Sequence, residues 1–232
     1  MKKRFSSKKF TLRLLVYVGG IVVLALGIDM NTKALLGVSP VISIAYNISV
    51  ITGIKLGIMT FIYYGVLILI QLAMRGRDFP PHQFMQILMS FGTSFFIQIF
   101  DDILPVGETW LQKGIMLAAA IVITGIGASL TVGMHTIPNP ADGLASIIGM
   151  KLGRNFGFGK NVLDLSCIGV ALAIGLIFEH SLLGISVGTV IAMIFTGRVI
   201  ALVQKTTDRI YRAVSEDDPL YGKKENNEDK KS

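Results

Sequence analysis

At 232 residues, 52% hydrophobic and only 16% charged, with a mean hydropathy of +0.63, the chain departs from soluble domains, which carry about 25% charged residues. The apolar residues are blocked into long runs, which excludes a soluble globular domain and implies a multi-pass membrane protein. The net charge of +7 does not point to nucleic acid, because the basic residues flank the apolar runs, where they set topology and meet lipid headgroups.

The chain opens on a basic cytoplasmic segment, residues 1–11, followed by an apolar run predicted as a helix over 12–30. From Leu14 to Ile28 this run is at the long limit for a signal-peptide core, and no small-x-small cleavage site follows it. It is read as a retained first span. Further helices are predicted over 41–52, 57–74 and 83–103, then over 114–134, 141–152, 161–178 and 182–204. Gly114 to Met134 carries no charge, and about 20 residues at about 1.5 Å each cross a hydrocarbon core of about 30 Å.

The segments 41–52 and 141–152 are too short for that; each reaches only about 18 Å. Both open on a helix-start signal, Ser39 before Pro40 and Asn139 before Pro140. Both end in glycine, Gly53 and Gly153, as a C-terminal cap does. The last stretch, 213–232, is rich in Asn, Lys, Glu and Asp and reads as a disordered cytoplasmic tail.

An offset of 100 residues aligns the chain with itself without a gap. Gly27 meets Gly127, Pro40 meets Pro140, Ala45 meets Ala145, Gly53 meets Gly153 and Gly57 meets Gly157. An offset of 96 then sets Ser90-Phe91-Gly92-Thr93 on Ser186-Val187-Gly188-Thr189. Apolar composition alone does not reproduce glycine and proline in one order, so the chain reads as a duplication. Repeat 1 covers 12–104 and repeat 2 covers 113–204.

If the short segments cross the membrane, the chain has eight spans and parallel repeats. If they are half-helices, each repeat has three spans and the second is inverted. The positive-inside rule decides for six spans. With both ends in the cytoplasm, the inner parts collect the basic N-terminus, Arg75 and Arg77, Lys151, Arg154 and Lys160, and Arg198, Lys205, Arg209 and Arg212. The outer parts hold Lys33, Lys55 and Lys113 beside Asp29, Asp101, Asp102, Glu108 and Glu179. The expected fold is therefore all-α, with two inverted repeats, each of three spans plus one half-helix.

Ionisable residues at membrane depth are functional candidates. Asp142 lies in the first turn of the second half-helix, where it either stabilises the helix start or serves a site. Asp164 lies one turn beyond Lys160, so the two either form a structural ion pair or share a site. Ser43, Tyr46 and Asn47 share one face of the first half-helix and either line a cavity or bond to a neighbouring span. Ser39 and Asn139, at the half-helix starts, complete the candidate solute or ion site. Asp29 and Lys33 are expected at the outer interface, and Tyr63, Tyr64 and Trp110 as interface anchors.

His82, His135 and His180 are scattered without metal-ligand spacing, and Cys167 has no cysteine partner. No phosphate-binding glycine loop and no Gly-x-Ser-x-Gly is present. No enzyme, metal or cofactor is implied.

The motifs Leu36-Gly37-Val38-Ser39-Pro40 with Gly53 and Gly57, Pro140-x-Asp142-Gly143 with Gly153, Lys160 and Asp164, and Gly184-x3-Gly188-Thr189 resemble the YczE/YitT-type family of bacterial integral membrane proteins. The resemblance covers about residues 12–204 and implies a plasma-membrane protein with no established substrate. The family has a basic residue after the second proline, where this chain has Ala141, and Arg and Glu at the places of Lys160 and Asp164. Inverted repeats with half-helices imply a transporter-like carrier of an unidentified small solute or ion. The alternative is a non-transporting membrane protein that assists or regulates partners. The bilayer is the one partner implied with certainty of chemistry; a homodimer is open.

Overall fold

The computed structural model describes residues 7–215, and all of its regular structure is helical. In chain order the helices are α1 (Ser7–Lys33), α2 (Pro40–Thr52), α3 (Leu56–Arg75), α4 (Gln86–Ile103), α5 (Trp110–Gly133), α6 (Pro140–Lys151), α7 (Phe156–Phe178) and α8 (Val187–Ser215). Two short 3₁₀ turns, Gly76–Asp78 and Pro81–Met85, link α3 to α4. Six stretches among the described residues, those built on α1, α3, α4, α5, α7 and α8, are long and apolar enough to cross a membrane. The short pair, α2 with 13 residues and α6 with 12, extends only about 20 Å and 18 Å. Most of the tail expected over 213–232 lies outside the described residues; α8 continues through Ser215.

Local chemistry explains the boundaries. Proline opens both short helices, where its missing N–H costs nothing. Gly53, with φ of 70°, closes α2 in the left-handed region and donates its N–H to the Ser49 carbonyl. The start of α5 lies at Trp110, earlier than the apolar run suggests, because Thr109 and Gln112 form a reciprocal capping box. Asn155 caps α7 by accepting from the Phe158 N–H.

Packing directions follow from which residues meet. Gly27 lies against the Thr124 backbone, Gly127 against the Leu24 backbone, and Gly20 against Leu130 and Thr131. As the number rises along α1 it falls along α5, so the two run antiparallel. A side chain at Gly27 or Gly127 would enter the facing backbone, which is how small residues let membrane helices approach. Gly125 meets Val199 and Gly133 meets Thr207, so α5 and α8 run parallel. The Ser129 and Thr207 hydroxyls bond at 2.9 Å across that seam.

The short helices pack by exchange. The Asn47 amide donates to the Ala171 carbonyl at 2.7 Å, and Ser43 approaches the Cys167 carbonyl, so α2 lies parallel to α7. Gln71 donates to the Pro140 carbonyl at 3.0 Å and Asn139 to the Tyr64 hydroxyl at 3.4 Å, so α6 starts beside α3. Each short helix thus runs beside a long helix of the other half. The outer surface is apolar: Ile58, Ile62, Leu69, Leu88, Phe91 and Val187 are all exposed. So continuous an apolar coat belongs against hydrocarbon rather than water.

Candidate functional site

The loops before α2 and α6 return the chain to the middle of the bundle, and both short helices start there. Ser39 and Pro40 from one start, and Asn139, Ala141 and Asp142 from the other, line a single cavity of about 60 Å³. Lys160 and Asp164 of α7 and Tyr64 of α3 complete its polar lining.

The two starts differ. At α6 the Asn139 side chain accepts from the Ala141 N–H at 3.0 Å, while its amide reaches Tyr64. Ser39 makes no such bond at α2. The positive end of the α2 dipole therefore meets the cavity without a side-chain cap, whereas α6 carries Asp142 in its first turn.

The charges are unevenly paired. The Lys160 ammonium lies 3.3 Å from Asp164 Oδ1, with the lysine side chain 20% and the aspartate side chain 3% exposed. Asp142 is half-buried and makes no hydrogen bond or ion pair with a described residue. The cavity thus holds two carboxylates, one ammonium and two helix starts. Such a set can bind an ion or a small polar solute, and can hold a proton when empty.

Not every candidate reaches this cavity. The Ser43 hydroxyl donates to Pro40 in its own helix at 2.6 Å, and Asn47 is bonded to α7; both face a packing seam. The glycines of the motifs lie outside the cavity lining. Gly188 packs against the Leu36 carbonyl and donates its N–H to it at 2.7 Å. Thr189, beside it, accepts from the Ser186 N–H. Gly57 donates its N–H to Gln98. Gly157 makes no close approach, and Gly153 turns the chain after α6 with φ of 63°.

Three features escape sequence reasoning. Gln71 and Gln86 are fully buried and joined by two reciprocal amide bonds, at 2.9 and 3.2 Å. Gly143 lies against this pair, and a side chain there would strike Gln71 Oε1. Two glutamines inside apolar runs were the available signal, but a search for ionisable groups passes over neutral amides. Tyr63 and Tyr64 are interior residues, not interface anchors: Tyr63 bonds to Cys167 at 3.2 Å and Tyr64 lines the cavity. Asp29 is fully buried with neither oxygen bonded, while Lys33 pairs with Asp101 at 2.7 Å. The expected outer-interface pair is therefore divided between an interior carboxylate and an ion pair to α4.

The family of unknown function DUF6198 matches residues 11–205. The chain is also similar to the "Uncharacterized membrane protein YczE" of Bacillus subtilis (strain 168), with 26% identity over 195 residues, 83% of this chain and 86% of the relative. No solved structure matches.

Proposed function

The chain belongs to the family of unknown function DUF6198, a membrane-protein group of the YczE type, and from that premise we propose that it is a carrier of a small solute or ion in the bacterial cell membrane. The observation that carries this reading is the shared cavity: both short-helix starts open on it, together with Asp142, Lys160 and Asp164. Broken or half helices whose ends meet at a central site, between repeated halves, are a common build of secondary transporters.

The halves are inverted repeats in this reading. The contacts between α1 and α5 support it, because they are reciprocal under the 100-residue offset: Gly27 faces Thr124, and Gly127 faces Leu24. A pair that meets antiparallel through equivalent residues is related by a two-fold axis across the helices. Directions support six crossings too. Parallel α5 and α8 need an odd number of crossings between them, which α7 alone supplies if α6 turns back. The positive-inside rule supports a cytoplasmic position for Arg75, Arg77, Lys151 and Arg154, together with both chain ends.

Two experiments test the reading. Accessibility labelling of Asp78→Cys and Glu108→Cys should place them on opposite faces, residue 78 inside; finding both on one face sinks the six-crossing arrangement. Purified protein screened for thermal stabilisation against metabolites and ions should identify a ligand, which proteoliposomes should then take up. Asp142→Asn and Asp164→Asn should abolish uptake while leaving a folded, monodisperse protein. Full uptake by either variant refutes the cavity as the transport site.

A further inference from the structure

The cavity is not closed on all sides. α7 and α8 barely touch, and a groove of about 430 Å³ separates them. Phe156, Gly157, Met193, Gly197, Ile200 and Ala201 give it mainly apolar walls. Phe156 and Gly157 on α7 and Gly197 and Ala201 on α8, all in the groove walls, are exposed on the apolar outer surface, so the groove opens toward hydrocarbon. Lys160, Asp164, Met193 and Ile200 line both the groove and the central cavity. The ion pair is thus the common wall between a lipid-facing cleft and the polar site.

We propose that the α7–α8 groove admits from the bilayer a lipophilic cation, a protonated amine on an apolar chain, whose head is held by Asp164 and Asp142. This rests on the cavity being the ligand site. The charge of the lining selects the head. Lys160 serves Asp164 at 3.3 Å, and no cation pairs with Asp142 among the described residues. Lys160 also acts on Asp142 through space, but one ammonium shared by two carboxylates leaves the site a net negative charge, which draws a cation or a proton. An anionic head meets two carboxylates against one ammonium and is disfavoured. The size of the cavity agrees: about 60 Å³ holds roughly two water-sized groups, enough for an ammonium head with little or no hydration. The groove accounts for the chain, since apolar walls open to lipid let an aliphatic tail stay in hydrocarbon while the head reaches the carboxylates.

The test uses the full chain in phosphatidylcholine nanodiscs, a lipid without a primary amine. Octylammonium, methylammonium, octanol and octanoate are titrated, and melting temperature is read against amine content corrected with protein-free discs. Octylammonium should raise the melting temperature by several degrees in a saturable way, and octanol and octanoate should not. Asp142→Asn should weaken octylammonium at least tenfold. Gly197 has no atom within 4 Å of where a Cβ would lie, so Gly197→Trp can fill the groove; Ala201→Phe is the second groove variant if the first fails to fold. Either should lose octylammonium and keep methylammonium. Octanoate binding as well as octylammonium, an unchanged affinity in Asp142→Asn, or octylammonium retained by a folded groove variant overturns the proposal. Binding as expected with no uptake in proteoliposomes supports it while failing the carrier reading. Uptake of another solute through an intact cavity, without alkylammonium binding, overturns this inference alone.

Discussion

α3 and α4, which end the first half of the chain, share a contact that closes at both ends and is uncharged apart from the exposed Lys55–Asp102 pair. Gly57 packs on Ser94 and Gln98 at one end, and Gln71 and Gln86 exchange amide bonds at the other. α7 and α8 hold the corresponding places in the second half, and between them lies a groove floored by an ion pair. The 100-residue offset that carries Pro40 onto Pro140 also carries Thr60 and Tyr64 onto Lys160 and Asp164. The two helix pairs therefore differ: α3 carries uncharged residues that brace α6 through Pro140 and Asn139, and α7 carries charges beside a gap. The difference lies between these two helix pairs and not between whole halves, since α1 and α4 carry the buried Asp29 and the Lys33–Asp101 pair.

The sharpest way to break this contrast is to remove one charge. Lys160→Met leaves Asp164, with a side chain only 3% exposed, without its partner. Breaking a buried pair from one side costs about 3–5 kcal/mol, whereas replacing both partners with apolar groups is often nearly neutral. Lys160→Met should therefore lower stability steeply in detergent unfolding, and Lys160→Met with Asp164→Leu should recover most of the loss. In the first half, the Thr60 hydroxyl is buried without a hydrogen-bond partner, so Thr60→Val, which removes an unpaired polar group, should leave stability unchanged or raise it. Equal losses at positions 60 and 160 would erase the distinction.

The amide pair gives a smaller effect on the closed side. Gln71→Leu leaves the Gln86 amide and the Pro140 carbonyl without their donor and acceptor, which costs about 1–3 kcal/mol. Adding Gln86→Leu should return part of it, because an apolar pair has no orphaned amide. A double variant no better than the single one would mean that Gln71 acts mainly through Pro140 and the position of α6.

Much of this was legible in the chain because membrane helices announce themselves by length and hydropathy. The run over 57–74 became α3 with one residue more at each end, and that over 161–178 became α7, which starts five residues earlier, at Phe156. Ser39-Pro40 and Asn139-Pro140 marked the short helices, since proline is favoured at the first helical position. Asp142, Lys160 and Asp164 stood out as charges in apolar sequence. What sequence did not yield is which side chains meet. Ser43 and Asn47 share a helix face whatever that face touches, and only tertiary packing turns it to α7. Tyr63 and Tyr64 have interface composition but lie where α3 passes α6 and α7, inside the bundle. The separation of α7 from α8 has no sequence signature at all, because both helices are as apolar as the pair that closes.

The mildest test compares two glycines. Gly57, on the closed side, lies so near the Ser94 carbonyl and the Gln98 side-chain stem that an added methyl has no room. Its N–H also donates to Gln98 Oε1 at 3.1 Å, so a shift of α3 away from α4 would lengthen that bond as well. Overpacking of this kind costs about 1–3 kcal/mol, and Gly57→Ala should fall in that range. Gly197, on the open side, has no atom within 4 Å of the same added methyl. Gly197→Ala adds no clash and gains helix propensity of up to about 1 kcal/mol, a gain that lipid surroundings reduce because the helix has no competing water-solvated state. Its stability should stay within about 0.5 kcal/mol of the parent or rise slightly. Melting curves of the two variants in one detergent separate the outcomes. A loss at Gly197 matching that at Gly57 would mean that α7 and α8 close on each other in the membrane, and that the groove is not a standing feature of the protein.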